Sequence, residues 1–156
     1  VVPASASSGT TRSSGVTAQF TVTDASGTGH AVEFDLLNQD VITVVGAGVG
    51  RLELEKTVRN VTLGGVELVA NSALPGHVLE YSIIYRNAGD GLLSELSIDD
   101  AAPAFTQVLG ASVSCDVTPA SLVCTPSVSG ASVAWLFSGS LSSGQQGTVS
   151  YQVTID

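Results

Sequence analysis

The chain has little charge, few aromatic side chains and no Met. Asp, Glu, Lys and Arg together make up 12% of its 156 residues and aromatic residues make up 5%, whereas about 25% of the residues in a typical soluble domain are charged. A free monomer usually keeps roughly 25–35% charged residues on its surface. Either this surface is covered by uncharged Ser and Thr, or neighbouring copies cover much of it.

Basic residues are the scarcest charged class. The net charge is −9, and the 5 basic residues are scattered along the chain, with no cluster able to neutralise a run of phosphates. We therefore expect no nucleic-acid partner. The chain also has no run of about 18 apolar residues, the length that a membrane span needs, so we expect no insertion into a membrane.

Two observations predict an exported protein. Cys115 and Cys124 bracket a Pro-containing segment, a spacing that favours a local disulfide formed in an oxidising compartment; two buried free thiols are the alternative. The chain starts at Val1 without Met, which indicates a processed or excised product. We therefore expect an extracellular or cell-surface location.

Alternating hydrophobic residues predict short strands over residues 51–156. Leu96 and Ile98 predict a strand that ends in a turn at Asp99 and Asp100, and another strand is expected over 106–113. Turn sequences separate the runs, and no window predicts an amphipathic helix. This pattern is typical of an all-β, immunoglobulin-like antiparallel β-sandwich. The clearest runs share one face each: Leu79, Tyr81, Ile83 and Tyr85; Val133, Trp135 and Phe137; Val149, Tyr151, Val153 and Ile155.

Residues 1–50 extend the predicted sandwich at its N-terminal side. Residues 1–16 form a low-complexity arm rich in Ser and Gly, and residues 17–50 form a strand-rich extension that ends in a Gly hinge. In the filament hypothesis these strands pair with, or complete the sandwich of, a neighbouring copy; pairing within the same chain is the alternative. The side chains predicted to pair are Phe20, Val22, Val32, Phe34, Leu36, Val41, Ile42 and Val44.

Six segments of residues 51–156 follow one another in a distinctive order. They are Leu54-Glu55-Lys56-Thr57-Val58, Leu74–Tyr81, Ile84–Gly89, Leu96–Asp100, Pro103–Thr106 and Gly139–Gly144. This order resembles the DUF11 family, immunoglobulin-like repeats of bacterial and archaeal surface proteins. The resemblance implies a stalk, spacer or surface-structure module and brings no catalytic residues with it. It covers about two-thirds of the chain and leaves residues 1–50 outside.

Candidate chemical sites are weak in this sequence. Glu95, Asp99 and Asp100 could contribute to a calcium site, but the spacing of a calcium-binding loop is absent. The two His residues stand in Gly- and Pro-containing turns, away from any nucleophile. We expect no catalytic residue, no cofactor and no metal, and we expect Trp135 to pack in the core.

Three functions remain open. The first is a subunit of an extracellular filament that assembles by β-strand addition of its N-terminal segment to another copy; low charge and a single Lys leave strand edges available for pairing. The second is a passive spacer repeat of a large surface protein or adhesin. The third is a carbohydrate- or calcium-binding adhesive module.

Overall fold

The computed structural model describes residues 15–23, 29–37 and 50–156. Within these ranges the chain is almost entirely β, with one single-turn 3-10 helix and no α-helix, which confirms the predicted fold class. The strands are β1 (Gly15–Thr23), β2 (Gly29–Leu37), β3 (Leu52–Asn60), β4 (Val78–Asn87), β5 (Leu93–Ala101), β6 (Thr106–Val108), β7 (Ser114–Val117), β8 (Leu122–Ser129), β9 (Ser132–Leu141) and β10 (Gln146–Ile155).

The strands form two antiparallel sheets that pack as a sandwich. Sheet A has the strand order β2-β1-β5-β9-β8, and sheet B has the order β3-β4-β10-β6, with β7 also paired to β10. Some strands that follow one another along the chain, such as β4 and β5, belong to different sheets. This crossing between sheets brings distant parts of the sequence together in the core.

The core lies between the facing sides of the two sheets. Trp135 is completely buried, and its indole N–H donates to the backbone oxygen of Ser114 at 2.9 Å, which satisfies its one polar group. Tyr81 is half-buried and stacks on Tyr151 with ring centroids 5.1 Å apart. The predicted core role of Trp135 is confirmed. Other fully buried side chains are Leu52, Leu54, Ile83, Tyr85, Leu93, Ile98, Leu141, Val149 and Val153.

Two of the predicted element boundaries are wrong. Asp99 and Asp100 do not form a turn, because β5 continues through both and they pair with Ala134 and Val133 of β9. The strand expected over 106–113 stops at Val108. It is followed by a 3-10 turn in which the Ser112 backbone N–H donates to the Leu109 oxygen at 2.8 Å. These local hydrogen bonds replace the ladder that a longer strand would have made.

Candidate subunit-docking site

The edge of β5 that faces away from β9 is covered by β1. β5 is the strand of sheet A that joins the N-terminal hairpin, formed by β1 and β2, to the rest of the sandwich. Without the hairpin, β5 would present a row of unpaired backbone N–H and C=O groups. The β5 edge is therefore an acceptor site for an added antiparallel strand, and here β1 occupies it.

The register of β1 on β5 contains one irregularity. Val16 pairs with Asp100, and the same register continues to Gln19, which pairs with Ser97. The next pair joins Thr21 to Ser94, so β5 has one residue more than β1 between these pairs. This arrangement is a β-bulge, in which two residues of one strand lie opposite one residue of the other.

The structure places five of the eight residues predicted to pair between subunits in the hairpin. In β1, Phe20 has the Cα partner Val32, and Val22 has the Cα partner His30. In β2, Phe34 and Leu36 are the partners of Ala18 and Val16. These pairings lie within one chain, and pairing between copies stays a prediction. The remaining three, Val41, Ile42 and Val44, lie outside the described residues.

On the core-facing side of β5, a buried ion pair connects the two sheets. Lys56 of β3 lies with its ammonium 2.7 Å from Oδ2 of Asp100 on β5. The other carboxylate oxygen, Oδ1, accepts from the Ala101 backbone N–H at 2.8 Å. The ammonium also lies 4.7 Å from the ring centre of Tyr81. Both the carboxylate and the aromatic face stabilise the positive charge.

Burial controls the acidity of the groups around this ion pair. Burial raises the pKa of Asp100, and the nearby Lys56 ammonium, which lowers that pKa, offsets only part of the effect. Burial, followed by the charge of Asp100, raises the pKa of both Tyr81 and Tyr151. Desolvation of the carboxylate therefore outweighs its attraction to Lys56.

The two cysteines form the predicted disulfide. Cys115 lies in β7 of sheet B and Cys124 lies in β8 of sheet A, with their Cα atoms 6.2 Å apart. The bond is local in sequence, but it links the two sheets at the point where the chain crosses from one to the other. A disulfide of this kind fits a protein that folds in an oxidising compartment.

Sequence reasoning missed Lys56 as an interior residue and assigned Asp100 to a turn. The signal is present in the period of two: Leu52, Leu54 and Val58 are buried, and Lys56 occupies the position between them on the same face. Asp100 likewise continues the alternation begun by Leu96 and Ile98. Extending each alternation through its charged residue would have placed both charges inside the sandwich.

Asn87 is a second residue whose role was missed. It is fully buried, and its side-chain amide N–H groups donate to the backbone oxygens of Gly91 and Leu141 at 2.7 and 2.8 Å. Its Oδ1 accepts from the backbone N–H groups of Arg51 and Gly89, both at 3.0 Å. The side chain therefore joins the segment before β3, the loop between β4 and β5, and the end of β9.

The other candidate sites have the following geometry. Among the described residues, no group of three or more His, Cys, Asp or Glu side chains is placed to hold a metal ion. Trp135, Tyr85 and Tyr151 are all fully buried, so none of these three rings forms a surface for a sugar. Over the same part of the chain, no helix has the length and hydrophobicity that crossing a membrane requires.

Comparisons of the chain with protein-family models, with curated proteins and with solved structures found no match. The resemblance to the DUF11 family stays a prediction.

Proposed function

We propose that this protein is a non-enzymatic structural subunit of an extracellular filament or surface appendage, and that its N-terminal hairpin joins one copy to the next by β-strand addition. The observation that carries this proposal is the pairing of β1 with the edge of β5. The register of this pairing supports the view that the hairpin and the β5 edge fit each other as an added strand and its acceptor. The same complementarity serves a contact between copies if the hairpin of one chain docks on β5 of its neighbour.

The connection between hairpin and sandwich allows either arrangement. The hairpin ends at Leu37, opposite Gly15, near the Asp100 end of β5, while Gly50 lies beside Leu93 at the other end. The 12 residues between Leu37 and Gly50 can span at most about 40 Å, at roughly 3.3–3.6 Å per residue, and a nine-residue strand such as β5 is about 30 Å long. A linker of this length reaches back along its own sandwich or out to a neighbouring one.

An exchange of this kind produces an open assembly when it runs in one direction. Each copy gives its hairpin to the next and accepts the hairpin of the previous copy, so the contact is heterologous and need not close. The low content of charged residues, 12%, supports a surface that is largely covered in an assembly. The inter-sheet disulfide supports assembly outside the cell, where such bonds persist.

The pairing of β1 with β5 inside one chain favours the spacer repeat as the second candidate. In that case the hairpin completes its own sandwich permanently, and the module separates other parts of a longer surface protein. The two candidates differ in a single measurable property, which is the copy that supplies the hairpin.

Disulfide trapping at the β1–β5 pairing tests the proposal. Gln19 and Ser97 are Cα partners, and antiparallel partners lie about 4.5–5.5 Å apart, within the range that a disulfide spans. Electron microscopy first records whether the Gln19→Cys/Ser97→Cys chain is present as fibres or as separate particles. The same sample is then oxidised and run on a denaturing, non-reducing gel. A ladder of linked chains is expected.

The single variants Gln19→Cys and Ser97→Cys are the matched controls, because each lacks a partner cysteine in register. Peptide mapping confirms that the new bond joins residues 19 and 97 and that Cys115 and Cys124 remain paired. If all of the 19–97 bond forms within single chains, the filament proposal is wrong and the spacer function is favoured.

A further inference from the structure

The bulge in β5 lies at the place where the hairpin docks. Leu93 and Leu96 are both buried, as are Ile98 and Asp100. In a regular strand, residues three positions apart point to opposite faces. The extra residue between the pairs Thr21–Ser94 and Gln19–Ser97 restores the alternation, so that Leu93 and Leu96 both face the core.

Glu95 is the residue that adopts the unusual conformation in this bulge. Its φ of 54° lies in the left-handed region, which costs free energy for a residue with a Cβ and is most readily adopted by Gly or Asn. If packing of the core were the only requirement, Gly would satisfy it with less strain. Glu95 is also exposed, so its side chain contributes nothing to the core.

The side chain of Glu95 contacts the hairpin. Its carboxylate oxygen Oε2 accepts a hydrogen bond from the hydroxyl of Thr21 at 2.5 Å. Thr21 is the first β1 residue after the register shift. A hydrogen bond therefore joins Glu95, the strained residue of β5, directly to Thr21, the β1 residue at the register shift.

We propose that the Glu95 bulge is the register determinant of hairpin docking, and that it selects the hairpin of this chain or of another copy through the Thr21 hydroxyl. The proposal rests on the proposed function, in which the hairpin is the assembling element. The partner that the bulge recognises is a β-strand with a hydroxyl-bearing residue opposite Glu95.

A register determinant is needed because the sequence of β1 is nearly repetitive. The strand reads Gly-Val-Thr-Ala-Gln-Phe-Thr-Val-Thr, with Thr at positions 17, 21 and 23. A slip of two residues on β5 keeps every residue on the same face, so burial alone distinguishes such registers weakly. The bulge occurs at one position of β5. The observed register brings Thr21 opposite it, whereas the displaced register in which Thr17 pairs with Ser97 brings Gln19, which has no hydroxyl.

Two pairs of cysteines measure the register. Gln19→Cys/Ser97→Cys traps the observed register, and Thr17→Cys/Ser97→Cys traps a hairpin displaced by two residues on the same face. Each cysteine pair is combined with one of three further changes. Thr21→Val keeps the β-branched shape and removes the hydroxyl, and Glu95→Gly keeps the left-handed backbone and removes the carboxylate. Glu95→Gln is the control, because its amide oxygen can still accept the hydrogen bond.

We expect the ratio of observed to displaced register to fall about threefold to tenfold in Thr21→Val and in Glu95→Gly, which is the loss that one exposed hydrogen bond produces. In Glu95→Gln the ratio should be largely retained. A ratio unchanged in both Thr21→Val and Glu95→Gly overturns the proposal.

The ratio is taken from the total cross-linked product, within chains and between chains together. If every bond forms within one chain, the proposed function fails while the register ratio still reports on Glu95. If ladders form but the ratio does not change, the proposed function stands and the role of the bulge is wrong.

Discussion

The ammonium of Lys56 lies 2.7 Å from the carboxylate of Asp100, and this ion pair connects β3 of one sheet with β5 of the other. The two partners differ in burial: the Asp100 side chain is 0% exposed and the Lys56 side chain is 14% exposed. Removing Lys56 leaves a carboxylate with no access to water. Removing the charge of Asp100 leaves an ammonium that can still reach water and the ring of Tyr81.

Replacing Lys56 should cost far more stability than neutralising Asp100. We expect Lys56→Met to lower the free energy of unfolding at neutral pH by about 3–5 kcal/mol, the usual effect of leaving a buried charge unpaired, and Asp100→Asn to change it by about 1 kcal/mol or less. Chemical denaturation measures both. In the double variant, Asp100→Asn should restore most of the stability lost with Lys56→Met.

The exposed ion pair between Arg59 and Glu80 provides the control. Arg59 is 44% exposed, so Arg59→Met should lower stability by about 1 kcal/mol or less. Equal losses in Lys56→Met and Arg59→Met would contradict the inferred role of burial.

The stability of the wild type relative to Asp100→Asn should depend on pH. Burial raises the pKa of Asp100 above its ordinary value of 3.8, so the folded state holds this proton more tightly than the unfolded state. The resulting stabilisation is present below about pH 4 and is lost as the pH rises through the folded pKa. Denaturation of both proteins across this range should show the wild type losing stability relative to the variant as the pH increases. The opposite trend would mean that Lys56 outweighs burial.

The tyrosines should resist ionisation until the protein unfolds in alkali. All 3 tyrosines of the chain have pKa values raised chiefly by burial, that of Tyr85 to about 12. The stabilisation that their raised pKa values provide is lost as the pH rises from about 10 through those folded values. Tyrosinate absorbance should therefore increase steeply together with the loss of circular dichroism. A gradual titration near pH 10 in a chain that remains folded would contradict the burial of these rings.

The disulfide should contribute stability without defining the fold. A cross-link between Cys115 and Cys124 closes a short loop, for which the chain-entropy model gives about 2.5–3 kcal/mol. The free energy of unfolding of the Cys115→Ser/Cys124→Ser variant should be lower by that amount, so the variant should unfold at a lower denaturant concentration. Its β-sheet circular dichroism spectrum should be unchanged. Reduction of the wild type should give the same shift, and a shift in only one of the two experiments would argue against the cross-link as the cause.

Asn87 should be far more sensitive to substitution than Asn71. Asn87→Ala leaves backbone groups of Arg51, Gly91 and Leu141 without their partners, and we expect a loss of about 2–4 kcal/mol. Asn71 is exposed and accepts only from the neighbouring Ser72 N–H at 2.9 Å, so Asn71→Ala should stay within about 0.5 kcal/mol of the wild type. Similar losses in both variants would contradict the role of Asn87 in holding the loops.

The period of two in the sequence was sufficient to predict several strands, among them β3, β4, β9 and β10, and their buried faces. Val133, Trp135 and Phe137 were assigned to one face, and all three are buried. This works because consecutive side chains of a strand point to opposite sides of a sheet, so that local order alone records which side is apolar. The nearby pair Cys115 and Cys124 was predictable for a similar reason, since a short loop restricts both residues to the same neighbourhood.

Only the tertiary structure decided which strands meet. No local pattern places β1 beside β5, or Lys56 of one sheet against Asp100 of the other, because pairing between distant strands depends on backbone hydrogen bonds that are the same for every sequence. The bulge at Glu95 arises in the same way: it reconciles the burial of Leu93 and Leu96 with strands on both sides of β5. Faces are set by local side-chain order, whereas neighbours are set by the packing of the whole chain.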